Sequence, residues 1–473
     1  MRRLENFIGA AAAAPEGSQY STILDPATEE PIALAPRSRE TEVDRAVRAA
    51  KDAAPIWRQS TPADRAQALL RIADDVERAA QEFADLEVAN TGKPRELTLN
   101  EEIAPAVDQL RFFAGAARTM AGRPEGEYLA GYTSSVSREP VGVCAQITPW
   151  NYPLQMAVWK LGPAIATGNT VVLKPAETTP LTTLRLAAVA ARHLPPGTLN
   201  VICGDRDTGA LLAAHPEVEM VSLTGSVRAG REVAAAAGPA LKRLHLELGG
   251  NAPAIVFPDA RLDAAAEGIT QAGFFNAGQD CVAASRVLIH EDILDDLLGR
   301  LVERAKATRT GPPSDPAADY GPLNNAAQLA RMAGLIARAP AYAKVLTGGE
   351  RVKRSGYFFA PTVITGLRQD DELVQEEIFG PVLTVQSFAS ADEALALANG
   401  VPQGLAASVW TTHRPTAKRF ARDLAAGCVW INTHLRFAAE MPHGGCKESG
   451  YGKDLSGYAL EDHTRIKHVM EAD

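Results

Sequence analysis

The sequence contains no apolar run approaching the ~18 residues that a membrane helix needs. It also lacks a C-x-x-C pair: its five cysteines, Cys144, Cys203, Cys281, Cys428 and Cys446, are odd in number and widely spaced. That pattern fits neither a disulfide framework nor a zinc site, so no metal is expected, and free thiols imply a reducing compartment. Lysines and arginines form no cluster, and the net charge of −9 comes from interspersed acids and bases, which argues against a nucleic-acid partner. The start, MRRLENFIGAAAAAPEG, lacks the uninterrupted apolar segment of a signal peptide, because Glu5 and Asn6 separate the arginines from a weak alanine stretch. It reads as an edge segment of the fold in a cytoplasmic protein. Internal repeats and low-complexity linkers are absent beyond those alanines.

What is present is an ordinary globular composition over 473 residues, 46% hydrophobic and 22% charged. At roughly 100–200 residues per domain this length implies two to four structural units. TEVDRAVRAAKDAAPIWRQS and PADRAQALLRIADDVERAAQEFADLEVANTG carry apolar residues at helical spacing, the second ending at Gly92. VGVCAQIT, NTVVLKP, LNVICG, MVSLTGS and APAIVFPD are short β-branched runs bounded by glycine, proline or asparagine. Helical stretches lie between them, and a second alternating block follows Cys281. Such β-α-β alternation predicts an open, mostly parallel sheet covered by helices on both faces. GEYLAGYTSSVSREP alternates polar and apolar residues and predicts a strand excursion that pairs with another subunit or with the C-terminal tail.

Four places carry chemistry-bearing residues, each also compatible with a purely structural role. Cys281 in NAGQDCVAAS is either a packed core thiol or a nucleophile, and Gly278 predicts a turn that lets backbone and ligand approach. Its neighbour Asp280 opposes thiolate formation, which counts against a cysteine–histidine hydrolase, as does the want of an obvious histidine. Glu247 ends the β-like run LHLELGG, where an apolar setting raises a carboxylate pKa and suits a general base. Asn151 in TPWNYP is an amide held between prolines, able to donate to a developing oxyanion. Gly225 and Ser226 turn a strand into a helix, whose first N–H groups can hold a pyrophosphate. Lys174 and Glu177 follow another strand end, where a carboxylate accepts from ribose hydroxyls and repels a 2′-phosphate.

In order along the chain, TPWNYP, LKPAE, LTGS, LELGG, GQDC, EEIFGPV and PHGGCKESGYGK resemble the aldehyde dehydrogenase superfamily, over roughly residues 140 to 455 and with similar flanks. The resemblance implies that fold: a Rossmann-like NAD-binding domain (1–117 and 140–246), an α/β catalytic domain (247–440), and a return segment to the cofactor domain (441–454). It also implies a small β oligomerisation arm (118–139 and 455–473) that builds a homotetramer. It implies Cys281 as nucleophile, Glu247 as base and Asn151 as oxyanion donor with the Cys281 N–H. Lys160 and Asp454 match positions linked to proton traffic. NAD would be held by Thr148, Trp150, Lys174, Glu177, Gly225, Ser226, Glu377 and Phe379.

Within the superfamily, EEIAPAVDQLRFFAGAAR, FNAGQDC, INTH, EMPHGG and SGYGKDLSGYALEDHT resemble the bacterial aminobutyraldehyde dehydrogenases, with betaine-aldehyde and other aminoaldehyde dehydrogenases second. An ω-amino aldehyde brings a cation, which gives Asp280 a purpose: to pair with it. Glu102 and Asp108 add to that field on this reading. Tyr152, Trp159, Phe275 and Phe437 form aromatic walls, worth ~0.5–2 kcal/mol each to a cation. A cysteine acyl transferase or esterase without redox chemistry is the distant alternative. Two departures from the family pattern stand out, Asn251 after LELGG and Cys446 in GGCKESG.

Overall fold

The computed structural model describes residues 1–16, 19–120 and 122–472. Positions 121 and 473 of the expected arm, and 17 of the N-terminal segment, lie outside the described residues.

The β-branched runs have no polar face, so they bury both sides and pair in parallel. Val143–Ile147, Thr170–Lys174, Leu199–Val201, Met220–Thr224 and Arg243–Glu247 form the first parallel sheet. Their spatial order is third, second, first, fourth, fifth. Asn6–Ile8 and Ala11–Ala13 extend one edge in antiparallel fashion, and Gly450–Tyr451 closes the other against Arg243–Glu247. The order reverses at Val143–Ile147, so the crevice beyond the carboxyl ends of these strands is where a ligand fits. Register brings Ile147 beside Lys174 and Thr224 beside Glu247 on that rim.

Pro253–Val256 opens a second sheet, with Arg286–His290, Thr362–Thr365, Val382–Phe388, Ala406–Trp410 and Cys428–Ile431 in parallel and Lys344–Thr347 antiparallel at an edge. Only the residues between Glu247 and Pro253 join the two sheets at this point of the chain.

The helices largely follow the apolar spacing, with two departures. The long pattern after Thr61 is two helices, Pro62–Arg78 and Ala80–Thr91, broken at Ala79 and capped by left-handed Gly92 (φ 71°). A π-helical turn, Leu99–Ile103, precedes Ala104–Ala117 and widens the helix just where Glu102 sits.

Arg123–Leu129, Tyr132–Pro140 and Thr464–Ala472 form a separate antiparallel sheet, so the strand excursion pairs with the C-terminal tail. Its surface leaves Tyr128, Leu129, Ile466, Val469 and Met470 exposed. The boundary at 455 needs correction: Ser456–Asp462 is a helix, and Leu455, Ala459 and Leu460 are buried in one core with Leu110, Phe113 and Leu161. That segment packs as part of the first domain's helical layer because its apolar residues fall on one face. Among the described residues no helix is long and apolar enough to cross a membrane.

Leu460→Ala should therefore remove about 2–5 kcal/mol of packing and lower the thermal unfolding midpoint, measured by calorimetry. An unchanged midpoint would return residues 455–463 to the arm.

Candidate active site

Helix Leu262–Phe274 delivers the chain into an unusual turn. Asn276, Ala277 and Gly278 all take left-handed backbone (φ 50°, 56° and 65°), a conformation costing roughly 1–2 kcal/mol for each non-glycine residue. Hydrogen bonds hold it: Asn276 Nδ2 donates to the carbonyls of Asn151 (3.2 Å) and Gln279 (3.1 Å), and Gln279 Oε1 accepts from Asn324 N–H (2.8 Å). A Cβ on Gly278 would lie 2.1 Å from the Gly380 carbonyl oxygen, so only glycine lets these loops touch. The turn ends by presenting half-buried Cys281 to a cleft of about 2110 Å³ lined from both sheets.

The Gly249–Gly250 turn sets the other wall. A Cβ on Gly249 would meet Glu377 Oε2 at 2.2 Å, and one on Gly250 would meet the Cys281 carbonyl oxygen at 2.0 Å. Gly250 N–H donates to Glu377 Oε1 (2.9 Å). Two residues earlier Glu247 is buried; its Oε1 has no partner among the described residues and its Oε2 is 3.8 Å from His443 Nε2.

Electrostatics in the cleft pull Glu247 and Glu377 toward their neutral forms. Burial, then the Asp454 charge, raises Glu247 well above the usual carboxylate range, while Lys160 and Lys453 pull against them. Burial also raises the Cys281 thiol, with Asp280, Glu377 and Glu247 adding to it. Burial pushes Glu377 up to about 7 and His443 down to about 4, so that imidazole is neutral at neutral pH. Lys160 Nζ pairs with Asp454 Oδ2 at 2.8 Å in full burial; against the burial that would raise it, Lys160 and His245 hold Asp454 low.

The cleft gathers most of the residues singled out in the sequence. Cys281, Glu247, Asn151 and Asp454 line it, while Lys160 lies behind Asp454. Asn151 Nδ2 donates to the Gln279 carbonyl (3.1 Å), and its buried Oδ1 has no partner among the described residues. Thr148, Trp150, Lys174, Glu177, Gly225, Ser226, Glu377 and Phe379 also line it. Phe379 takes φ 56° and meets Trp150 edge to face at 5.4 Å. Ser226 Oγ caps helix Val227–Ala237 by accepting from Ala229 N–H (3.2 Å), which leaves that helix's first turn at the rim.

The pocket for a substrate cation needs correction. Asp108 is exposed and outside the cleft, because six residues of helix carry it about 240° round from Glu102. Glu102 is buried but outside the cleft as well, paired with Lys93 Nζ at 2.6 Å. The Lys93 ammonium also sits 4.1 Å from the Tyr152 ring centroid, so the protein's own cation occupies that face. Asp280 accepts from Tyr152 Oη (2.6 Å) and Val282 N–H (2.9 Å), so both of its oxygens already hold partners. Phe275, Trp159 and Phe437 do line the cleft. Trp159 stands 6.1 Å from Phe437 and 5.2 Å from His443, and Phe437 stands 5.4 Å from His443.

Sequence reasoning passed over Lys93, His443 and Glu101, the last an exposed acid that does line the cleft. The lysine had one signal: it follows a helix-ending glycine and precedes Pro94, where a charged residue usually stays in water. Asn251 gains an account, donating to the Val374 carbonyl (2.8 Å) and accepting from Ser285 Oγ (2.9 Å), which ties two loops behind the Gly-Gly turn. Cys446 lies outside the cleft, with its thiol 3.4 Å from the Gly404 carbonyl.

Two parallel sheets contributing to one cleft, with a thiol, a buried carboxylate and a helix N-terminus on its walls, define a two-sheet α/β enzyme. The chain belongs to the aldehyde dehydrogenase family, which it matches over residues 13–469. A betaine aldehyde dehydrogenase from Staphylococcus aureus, solved in complex with NAD+, is 34% identical, with 99% of this chain and 95% of that chain covered and a TM-score of 0.97. An NAD-dependent aldehyde dehydrogenase from Sinorhizobium meliloti is 36% identical over 100% of this chain and 95% of its own, again with a TM-score of 0.97.

A negative neighbour disfavours the thiolate, so removing one lowers the thiol pKa. Alkylation of Cys281 by iodoacetamide, followed from neutral to alkaline pH with Cys281→Ala as background, should have its midpoint above that of an ordinary thiol. Asp280→Asn should move the midpoint down. A midpoint unmoved by the substitution would show that Asp280 carries no charge felt by the thiol.

Proposed function

We propose that this chain oxidises an aldehyde to its carboxylic acid with NAD, using Cys281 as nucleophile. The observation that carries this reading is the convergence of Cys281, Glu247 and Asn151 on one cleft, beside a capped helix N-terminus suited to a pyrophosphate. The cofactor fits the residues present: Ser226 and the first turn of helix Val227–Ala237 would take the pyrophosphate, and Lys174 with exposed Glu177 the adenosine ribose. Thr148, whose buried Oγ1 has no partner among the described residues, would lie beside it. Glu377, Phe379 and Trp150 would hold the nicotinamide end. When bound, NAD supplies the acceptor for the hydrogen and electron pair that leave the aldehyde carbon.

The chain's own residues do the rest. The Cys281 sulfur bonds to the carbonyl carbon as its thiol proton passes to the ionised Glu247 carboxylate and on to solvent, and Asn151 Nδ2 with the Cys281 N–H receives the oxygen as its charge develops. Oxidation leaves a thioester on Cys281. Glu247, raised by burial, takes a proton from water as the water oxygen attacks, and the carbon–sulfur bond breaks to release the acid and the thiol. Lys160 and Asp454 set the field in which Glu247 gains and loses that proton.

For the substrate we propose an ω-amino aldehyde such as 4-aminobutanal. Trp159 and Phe437 offer faces to a cationic head and Glu101 lines the same cleft. Betaine aldehyde is a second reading, favoured because Asp280, the acid beside the thiol, already holds partners and a quaternary ammonium needs only aromatic faces. Reduced nicotinamide formation from 4-aminobutanal, betaine aldehyde and butanal, each with NAD and NADP, tests these readings. The expected result is a preference for 4-aminobutanal with NAD that Phe437→Ala lowers about tenfold in kcat/KM. Equal rates on butanal would sink the cationic substrate, and turnover of acyl esters alone, without NAD, would sink the dehydrogenase.

The exposed sheet of Tyr132–Pro140 and Thr464–Ala472 suits association between copies, a tetramer on the family pattern. Ile466→Asp with Val469→Asp should give a smaller species in sedimentation while leaving Cys281 alkylation unchanged. An unaltered sedimentation coefficient would place the interface elsewhere.

A further inference from the structure

Lys93 is a buried ammonium that the reaction described above does not use. Its side chain is 7% exposed and that of its partner Glu102 is 3% exposed. Besides Glu102 it touches two consecutive residues of the cleft: it donates to the Asn151 carbonyl and lies over the Tyr152 ring, 4.1 Å from its centroid. From there the contacts run directly to the nucleophile's loop. The same Asn151 carbonyl accepts from Asn276 Nδ2 (3.2 Å), and Tyr152 Oη donates to Asp280 Oδ2 (2.6 Å). One charge thus ties the segment bearing the amide Asn151 to the segment bearing Cys281.

We propose that Lys93 is a positioning residue for the oxyanion site, fixing the Asn151 peptide so that Nδ2 and the Cys281 N–H converge on one oxygen. The inference rests on the reading of Asn151 as oxyanion donor. A flexible side-chain amide loses its catalytic value when its backbone turns by a small angle, because an oxyanion donor must be within about 2.7–3.1 Å of the developing charge. A carbonyl that accepts from both Lys93 and Asn276 resists turning, because rotation breaks two hydrogen bonds at once.

A structural role is the competing explanation, since an unpaired Glu102 would itself be destabilising. Burial and the nearby Glu87 push Glu102 up to about 8 even though Lys93 opposes them, so without the lysine this acid stays protonated at neutral pH. The double variant Lys93→Met with Glu102→Gln replaces both members of the pair with neutral side chains, and Lys93→Met alone serves should it fail to fold.

The experiment measures NAD affinity, kcat and KM on butanal and on 4-aminobutanal for these variants and for Asn151→Ala. The expected result is NAD affinity like that of the wild type, kcat lowered about tenfold or more on both aldehydes, and KM within about threefold. A kcat within about twofold of the wild type, while Asn151→Ala is strongly impaired, would overturn the positioning role and leave the oxyanion reading standing. An Asn151→Ala variant as fast as the wild type would overturn both. The neutral aldehyde keeps the result independent of which substrate the enzyme prefers.

Discussion

The site depends on how closely three stretches of backbone approach at Gly249 and Gly250. Here the chain leaves the first sheet at Glu247 and enters the second at Pro253. On the way it meets the Glu377 carboxylate at Gly249 and the Cys281 backbone carbonyl at Gly250, the second at a distance that leaves no room for a Cβ. Glu247, the Cys281 loop and the Glu377 loop come from different parts of the chain, and this turn is where they share a boundary. At Gly250 glycine is therefore required by contact, since neither residue has positive φ. The left-handed turn through Asn276–Gly278 is the complementary feature: it stores strain in order to bring Cys281 against that boundary, and side-chain amides hold it there.

Such close packing sets the electrostatics. Burial raises the pKa of Glu247, Glu377 and Cys281, and the two carboxylates raise the thiol further, so the resting cleft favours the protonated forms of all three. A neutral thiol is less open to oxidation than a thiolate. The buried Lys160–Asp454 pair puts opposed charges beside Glu247, Asp454 raising its pKa and Lys160 lowering it.

Much of this was legible in the sequence because it rests on short-range rules. Buried strands declare themselves by β-branched runs, and in a doubly wound sheet the residues just after each run must lie on one rim. Thr148 and Gly225 directly follow such runs, and Lys174 and Glu247 end them on the same rim. The errors came where position along the chain does not determine facing. Glu102 and Asp108 share a charge and a six-residue spacing on one expected helix, but six residues turn a helix well away from its starting face, and Glu102 itself sits in the π-turn. The boundary at 455 failed because the final helix packs on residues more than 290 positions away, which no local pattern reveals. Lys93 escaped for the same reason: Glu102, Tyr152 and the Asn151 carbonyl meet around it only in three dimensions.

The lysine also changes what the acids around the cleft can mean. Counted along the sequence, Glu102 and Asp280 together with Tyr152 describe a receptor for a cation. In the folded chain that receptor is filled from within, since Lys93 takes the Glu102 carboxylate and the Tyr152 ring while the Tyr152 hydroxyl takes Asp280. A buried anion that already holds its partners gains little from another cation, because the new pairing must first displace hydrogen bonds made in a low dielectric. Any preference for a charged aldehyde must therefore come from groups left free, the rings of Trp159 and Phe437 and the acid Glu101. Aromatic faces bind ammonium without requiring a particular hydrogen-bond geometry. A pocket recognising its substrate mainly in this way would separate cationic from neutral aldehydes more sharply than it separates one cationic aldehyde from another.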